Sequence, residues 1–152
     1  MMKFSKYILF SLLCTSSFYA LANDAIVGKW KNIDDQTGFS KGIIEVYKEA
    51  DGSYSGKVYE ITPHPGYTPK EICDKCTGSD RNQPTIGMKV LRNFRANDTK
   101  MNQYVAGTIL DPTSGKLYKG ILNLRANGKR LALRGYIGVE LIGRSQTWIR
   151  AE

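Results

Sequence analysis

From Ala25 onward, apolar residues recur at alternate positions in short runs, and clusters of Gly, Asn, Asp and Pro separate the runs. No stretch sustains a helical apolar period over three turns, so the pattern predicts strands. Eight are expected: Ile26 to Ile33, Lys41 to Lys48, Tyr54 to Ile61, Met88 to Phe94, Tyr104 to Leu110, Lys116 to Leu124, Arg130 to Ile137 and Arg144 to Arg150. Gly42, Ile44 and Val46 share one face of the second strand. Leu131, Leu133 and Ile137 share one face of the seventh, with Gly135 between them. Lys41, Glu45, Arg130 and Arg134 fall on the opposite faces, as in strands with one buried and one wet side.

The punctuation between runs predicts the topology. Asp51-Gly52 and Asn127-Gly128 tolerate the positive φ of tight primed turns, and Asp111-Pro112-Thr113-Ser114-Gly115 has a turn opener, a fixed φ and a closing glycine. Consecutive strands are therefore antiparallel. Glycines inside the runs, at 42, 56, 107, 120 and 135, suit strongly bent strands, and closing the sheet removes its exposed edges. The expected fold is all-β, an eight-stranded antiparallel up-and-down β-barrel, with a two-sheet sandwich as the alternative. One segment interrupts the meander. Thr62 to Pro84 holds four prolines, Gly78 and two cysteines, too irregular for a strand, and is expected to be a long loop acting as a lid over one barrel mouth.

The first 22 residues follow a different pattern. Lys3 and Lys6 precede the apolar run from Tyr7 to Leu13, and Ala20-Leu21-Ala22 supplies small residues for cleavage, which predicts a signal peptide over 1–22 and a mature domain over 23–152. The apolar run is too short for a membrane span, and no second long apolar segment follows. Cys14 raises a lipoprotein reading, but Leu12 and Leu13 are bulky where lipid attachment needs a small neighbour. The expected location is periplasmic or secreted.

Charge changes the picture little. The 152 residues carry a formal charge of +8, and removal of Lys3 and Lys6 leaves +6. The cations are scattered through the strands and export separates them from cytoplasmic nucleic acid, so a solvated basic surface is expected, with attraction to anionic lipid or polysaccharide a lesser reading.

Export makes a disulfide the default state of Cys73 and Cys76. A redox dithiol would place its first cysteine at a helix start, and a zinc site would need ligands beyond His64. His64, the single histidine, sits between Pro63 and Pro65 and is expected to be an exposed bystander. No serine lies in a Gly-x-Ser-x-Gly elbow. Asp34, Asp35 and Asp111 read as turn residues rather than paired catalytic carboxylates. No catalytic residue, metal or cofactor is assigned.

The last strand carries the candidate chemistry. Arg144, Gln146, Trp148 and Arg150 share one face at period two. Facing inward, Arg144 and Gln146 would hold an anionic head group while Trp148 packs on its apolar part. Arg134 and Tyr118 complete the candidate ligand-binding set. Arg150 is expected instead to stack on a tryptophan and close the barrel end.

Gly28-Lys29-Trp30 on the first strand, with an Arg on the last, resembles the lipocalin arrangement, in which such a Trp lies across the closed end beneath an Arg. A wider set spans nearly all the mature chain: Gly56-Lys57-Val58, Cys73-Asp74-Lys75-Cys76, Pro84-Thr85-Ile86-Gly87, Leu110-Asp111-Pro112, Leu133-Arg134-Gly135-Tyr136-Ile137-Gly138 and Gly143-Arg144-Ser145-Gln146-Thr147-Trp148-Ile149-Arg150. Together these resemble the bacterial envelope family catalogued as domain of unknown function 2147. The resemblance implies a lipocalin-like barrel and no established activity; it gives Gly28, Trp30 and Arg150 a structural role at the barrel end.

The function expected is that of a noncatalytic periplasmic barrel binding a small amphipathic or anionic molecule. A protein-interaction module using its outer surface and the Cys73 to Cys76 loop is the alternative, and an enzyme comes third.

Overall fold

The computed structural model describes residues 24–151; the predicted leader and its cleavage point at Ala22 lie outside them. Eight strands form in chain order: β1 (Gly28–Ile33), β2 (Ser40–Lys48), β3 (Tyr54–Ile61), β4 (Lys89–Ala96), β5 (Gln103–Asp111), β6 (Lys116–Arg125), β7 (Arg130–Tyr136) and β8 (Gly143–Arg150). Each pairs antiparallel with the next, and β1 returns to β8 through Trp30↔Arg150 and Lys31↔Ile149, so the sheet closes as an up-and-down barrel. The sandwich alternative is excluded by that closure. Among the described residues, no helix is long and apolar enough to cross a membrane.

The turns form where the sequence signals them. Gly52 and Gly128 adopt φ of 81° and 82° in the β2–β3 and β6–β7 turns, and Gly115 adopts 71° in the β5–β6 turn. Meander topology then sorts the connections by end. The β2–β3, β4–β5 and β6–β7 turns gather at one end with the segment before β1. The β1–β2, β3–β4, β5–β6 and β7–β8 connections gather at the other.

The first end is solid. Trp30 is fully buried and its indole N–H donates to the Ile26 carbonyl at 2.9 Å. The Arg150 guanidinium lies 4.2 Å from the Trp30 ring centroid, donates to the carbonyls of Gly128 at 2.7 Å and Val27 at 3.1 Å, and also reaches that of Ala25. One cation thus satisfies three backbone acceptors while covering an aromatic face. Gly28 suits the place beside it, because its φ of 134° disfavours other residues and a Cβ there would also sit 2.8 Å from the guanidinium. Ile26 and Val27 precede the strand expected to include them; Ile26 instead packs beneath the tryptophan.

Phe94 completes the plug. A Cβ at Gly107 would lie 2.4 Å from its ring, and one at Gly120 would lie 2.5 Å from it, so the ring rests directly against two adjacent strands. Two irregularities aim it. Asn93 on β4 and Ala106 on β5 have φ of 58° and 61°, and between Arg92↔Thr108 and Arg95↔Val105 both strands pass over two residues. This shift turns both Leu91 and Phe94 inward on β4, and both Tyr104 and Gly107 on β5, where strict alternation would not.

Ile137 departs from expectation. It was assigned to the buried face of the seventh strand, but β7 ends at Tyr136 and Ile137 is exposed in the β7–β8 connection.

Replacing Trp30 with Ala should cost about 3–5 kcal/mol, from the lost burial and the cavity left behind. Gly107→Ala should cost about 1–3 kcal/mol through collision with Phe94. Both are read from urea midpoints at constant slope; an unchanged midpoint for Gly107→Ala would show that the ring does not rest there.

Candidate functional site

The barrel is hollow at its other end. A cavity of about 420 Å³ opens between the strands, with apolar walls from Ile44, Val58, Val90, Ile109, Leu133 and Trp148. Strands β2 to β7 follow one plan: residues nearer the plug (Val46, Tyr54, Phe94, Tyr104, Leu122, Leu131) pack solidly, and residues nearer the mouth line the cavity.

The polar side chains sit toward the mouth. Arg144 and Gln146 stand above Trp148 on the inward face of β8, as their period-two spacing predicts, and Tyr118 contributes from β6. Lys41 and Glu60 come from β2 and β3. Lys41 is paired with Asp34 at 3.0 Å, and Lys70 with Asp74 at 2.7 Å. Arg144 has no hydrogen-bonding or ionic partner among the described residues, and it is exposed, so the cavity reaches solvent beside a free guanidinium. A smaller polar pocket of about 150 Å³ adjoins there, bounded by Asp34, Asp35, Gln36 and Ser145, and shares Lys41, Arg144 and Gln146 with the cavity. Three cavity residues also carry buried polar atoms without a partner among the described residues: Asn32 Oδ1, Thr85 Oγ1 and Trp148 Nε1. Buried polar groups are ordinarily satisfied by protein or by ordered water, and these three all border the cavity.

The β3–β4 loop forms part of the wall: Tyr67, Lys70 and Thr85 all line the cavity. Cys73 and Cys76 are joined by a disulfide with Cα atoms 5.3 Å apart. It packs on the β5–β6 turn, where Cys73 Sγ lies 3.2 Å from the Pro112 carbonyl oxygen and a Cβ on Gly115 would meet the Lys75 carbonyl at 2.0 Å. The loop is thereby clamped to the rim.

His64 differs from the exposed bystander expected. Its ring is partly buried, stacked between Phe39 at 5.1 Å and Tyr67 at 5.0 Å, and it bridges the β1–β2 and β3–β4 connections without lining the cavity. Burial pushes the Tyr67 hydroxyl above its ordinary pKa.

Arg134 is corrected as well. It is not on the cavity wall: on β7, Leu131 and Leu133 point inward, which sends Arg134 outward. Its guanidinium donates to the carbonyls of Glu140 at 2.7 Å and Leu141 at 3.3 Å and to Ser145 Oγ at 3.1 Å, holding the β7–β8 connection. Asn32, Tyr67 and Thr85 have no site signal in the sequence, and Lys41, expected on the wet face of β2, lines the cavity instead.

Asp34 behaves as a turn residue. Its carboxylate accepts from Lys41, from Gln36 N at 2.8 Å and from Thr37 N at 3.2 Å, and these contacts, Lys41 first, hold its pKa down to about 2. Asp111 likewise accepts from Thr113 N at 2.9 Å and Ser114 Oγ at 2.6 Å within its own turn. Among the described residues, no three His, Cys, Asp or Glu side chains converge to hold a metal ion.

A closed eight-stranded meander, plugged at one end by a tryptophan beneath an arginine and hollow at the other, defines a lipocalin-like β-barrel. In shape the chain is similar to protein HP1028 of Helicobacter pylori, described as belonging to the lipocalin family, with a TM-score of 0.66 and 19% identity over 84% of this chain and 83% of that one. At that identity the likeness is one of fold. Over residues 28–150 the chain matches, and belongs to, the family described as "Uncharacterized protein conserved in bacteria (DUF2147)". No curated protein matches it.

The pKa of Asp34 gives a pH dependence with a defined sign. Unfolded, an aspartate titrates near about 3.9; folded, Asp34 titrates at about 2. The folded form binds fewer protons between these values, so the stability Asp34 contributes is fully present above the unfolded pKa and is lost as pH falls through about 2. Carboxyl-carbon NMR titration should find this depressed midpoint, and Asp34→Asn should flatten the stability curve over that window. An ordinary midpoint would mean that the β1–β2 turn is not built on this side chain.

Proposed function

We propose that this protein is a noncatalytic binding barrel of the bacterial envelope, exported with removal of a leader near Ala22, that holds one small amphipathic, anionic molecule in its cavity. The carrying observation is Arg144, whose guanidinium has no partner among the described residues and stands at the junction of an apolar cavity and a polar annex. Apolar walls favour burial of a tail in proportion to its area, at roughly 25 cal/mol per Å². A carboxylate or phosphate head at Arg144 forms charge-assisted hydrogen bonds that an uncharged head does not. Lys41 and Lys70, already paired, add less. The volume stands toward the small end of ligand pockets, roughly 300–1,000 Å³, which favours a short single-chain molecule over a two-chain lipid. His64 lies off the cavity wall, locked in its stack, which supports binding over catalysis.

A second reading, a protein-interaction module using the outer surface and the Cys73–Cys76 loop, draws on Ile72 and Ile86, both exposed on that loop. Under it, loop substitutions abolish partner capture and Arg144 is dispensable.

Native mass spectrometry of protein purified from its own envelope is expected to show a bound small molecule. With dodecanoate and the matched alcohol as probes, Arg144→Gln should weaken the carboxylate by about ten- to a hundredfold and leave the alcohol within about threefold. No co-purifying molecule together with no thermal shift across fatty acids and lysolipids, or equal losses for both probes, would overturn the proposal.

A further inference from the structure

The outer surface has an asymmetry that the cavity does not use. All seven ion pairs found among the described residues lie between Asp24 and Arg95. Beyond them, residues 112–150 carry eight Lys and Arg against the single acid Glu140, and with Arg144 and Arg150 on the inward face of β8 the other six leave a cationic excess on the outside of β6, β7 and their turn. At the mouth end of this face, the β7–β8 connection exposes Ile137, Val139, Leu141 and Ile142, with Leu141 91% and Ile142 76% accessible.

These apolar side chains are not there through slack in the chain. Arg134 binds the Glu140 and Leu141 carbonyls from the side of the barrel, and Ile142 N donates to the Val139 carbonyl at 3.2 Å, so the turn is braced with its apolar residues directed away from the body. Nearby, Lys119 is paired in register with Tyr136, Arg144 with Gly135, and Lys116 begins β6 at the same end. Lys116 lies opposite Asp111 and Arg144 beside Asp34 and Asp35, yet neither these two cations nor Lys119 forms an ion pair among the described residues; an apolar projection beside them is complementary to acyl chains beneath anionic head groups.

We propose that the barrel docks mouth-first on an anionic lipid bilayer, with Leu141 and Ile142 entering the interface and Lys116, Lys119 and Arg144 meeting the head groups. The pose sets the cavity mouth against the membrane. It does not depend on the cavity being occupied.

The test is flotation of the processed protein with vesicles of phosphatidylethanolamine and phosphatidylglycerol, with phosphatidylcholine vesicles in parallel. Binding is expected to the anionic vesicles alone and to weaken with salt, as contacts between exposed charges do. The double variant Leu141→Ser, Ile142→Ser should reduce binding on the order of tenfold or more while leaving the melting temperature and dodecanoate affinity unchanged. A polarity-sensitive dye at position 141 should shift to the blue with anionic vesicles. No flotation with anionic vesicles, flotation indifferent to the double variant, or capture of an envelope protein through this turn without lipid binding would each overturn the proposal.

Discussion

One phenyl ring divides this molecule. Phe94 is fully buried, rests against Gly107 and Gly120 where any Cβ would collide with its ring, and does not line the cavity. Below it, close packing holds Trp30 and the core; above it, a cavity of about 420 Å³ remains between the strands. The hollow follows from where the ring lies, and the ring lies there because Asn93 and Ala106 shift the alternation of β4 and β5 together.

The two ends consequently do different physical work. At the plugged end, Arg150 joins the segment before β1, the β6–β7 turn and β8 through one guanidinium, so the closing seam between β1 and β8 is supported by side-chain contacts beyond its backbone ladder. The mouth carries groups that do little for folding: an arginine and several polar atoms without partners among the described residues, and an apolar turn in water. Groups kept at such a cost are where binding is expected.

Much of this was legible in the sequence because a strand has one period and a tight turn has few permitted residues. Alternation located eight strands with ends within about two residues of those observed, and the same period placed Arg144, Gln146 and Trp148 on one face. The rest was hidden for physical reasons. A left-handed alanine at position 106 has no signature in residue type, so the coupled irregularity that seats Phe94 could not be read. Residue type alone groups Arg134 with the cations of β8, whereas its position, one step out of phase with Leu131 and Leu133, sends it outward. Ile137 carried the alternation one step past the end of its strand. The stacking of His64 on Phe39 and Tyr67 joins residues from two separate connections, and nothing local announces it.

The division into a solid half and a hollow half is tested most directly by crystallography under xenon pressure, since the gas collects in apolar cavities and leaves close-packed cores empty. Xenon is expected above Phe94, among Val58, Leu133 and Trp148, and absent between Phe94 and Trp30. A mouth half closed by its own side chains with no xenon in it, or xenon in the Trp30 half, would contradict the division and with it the binding site built upon it.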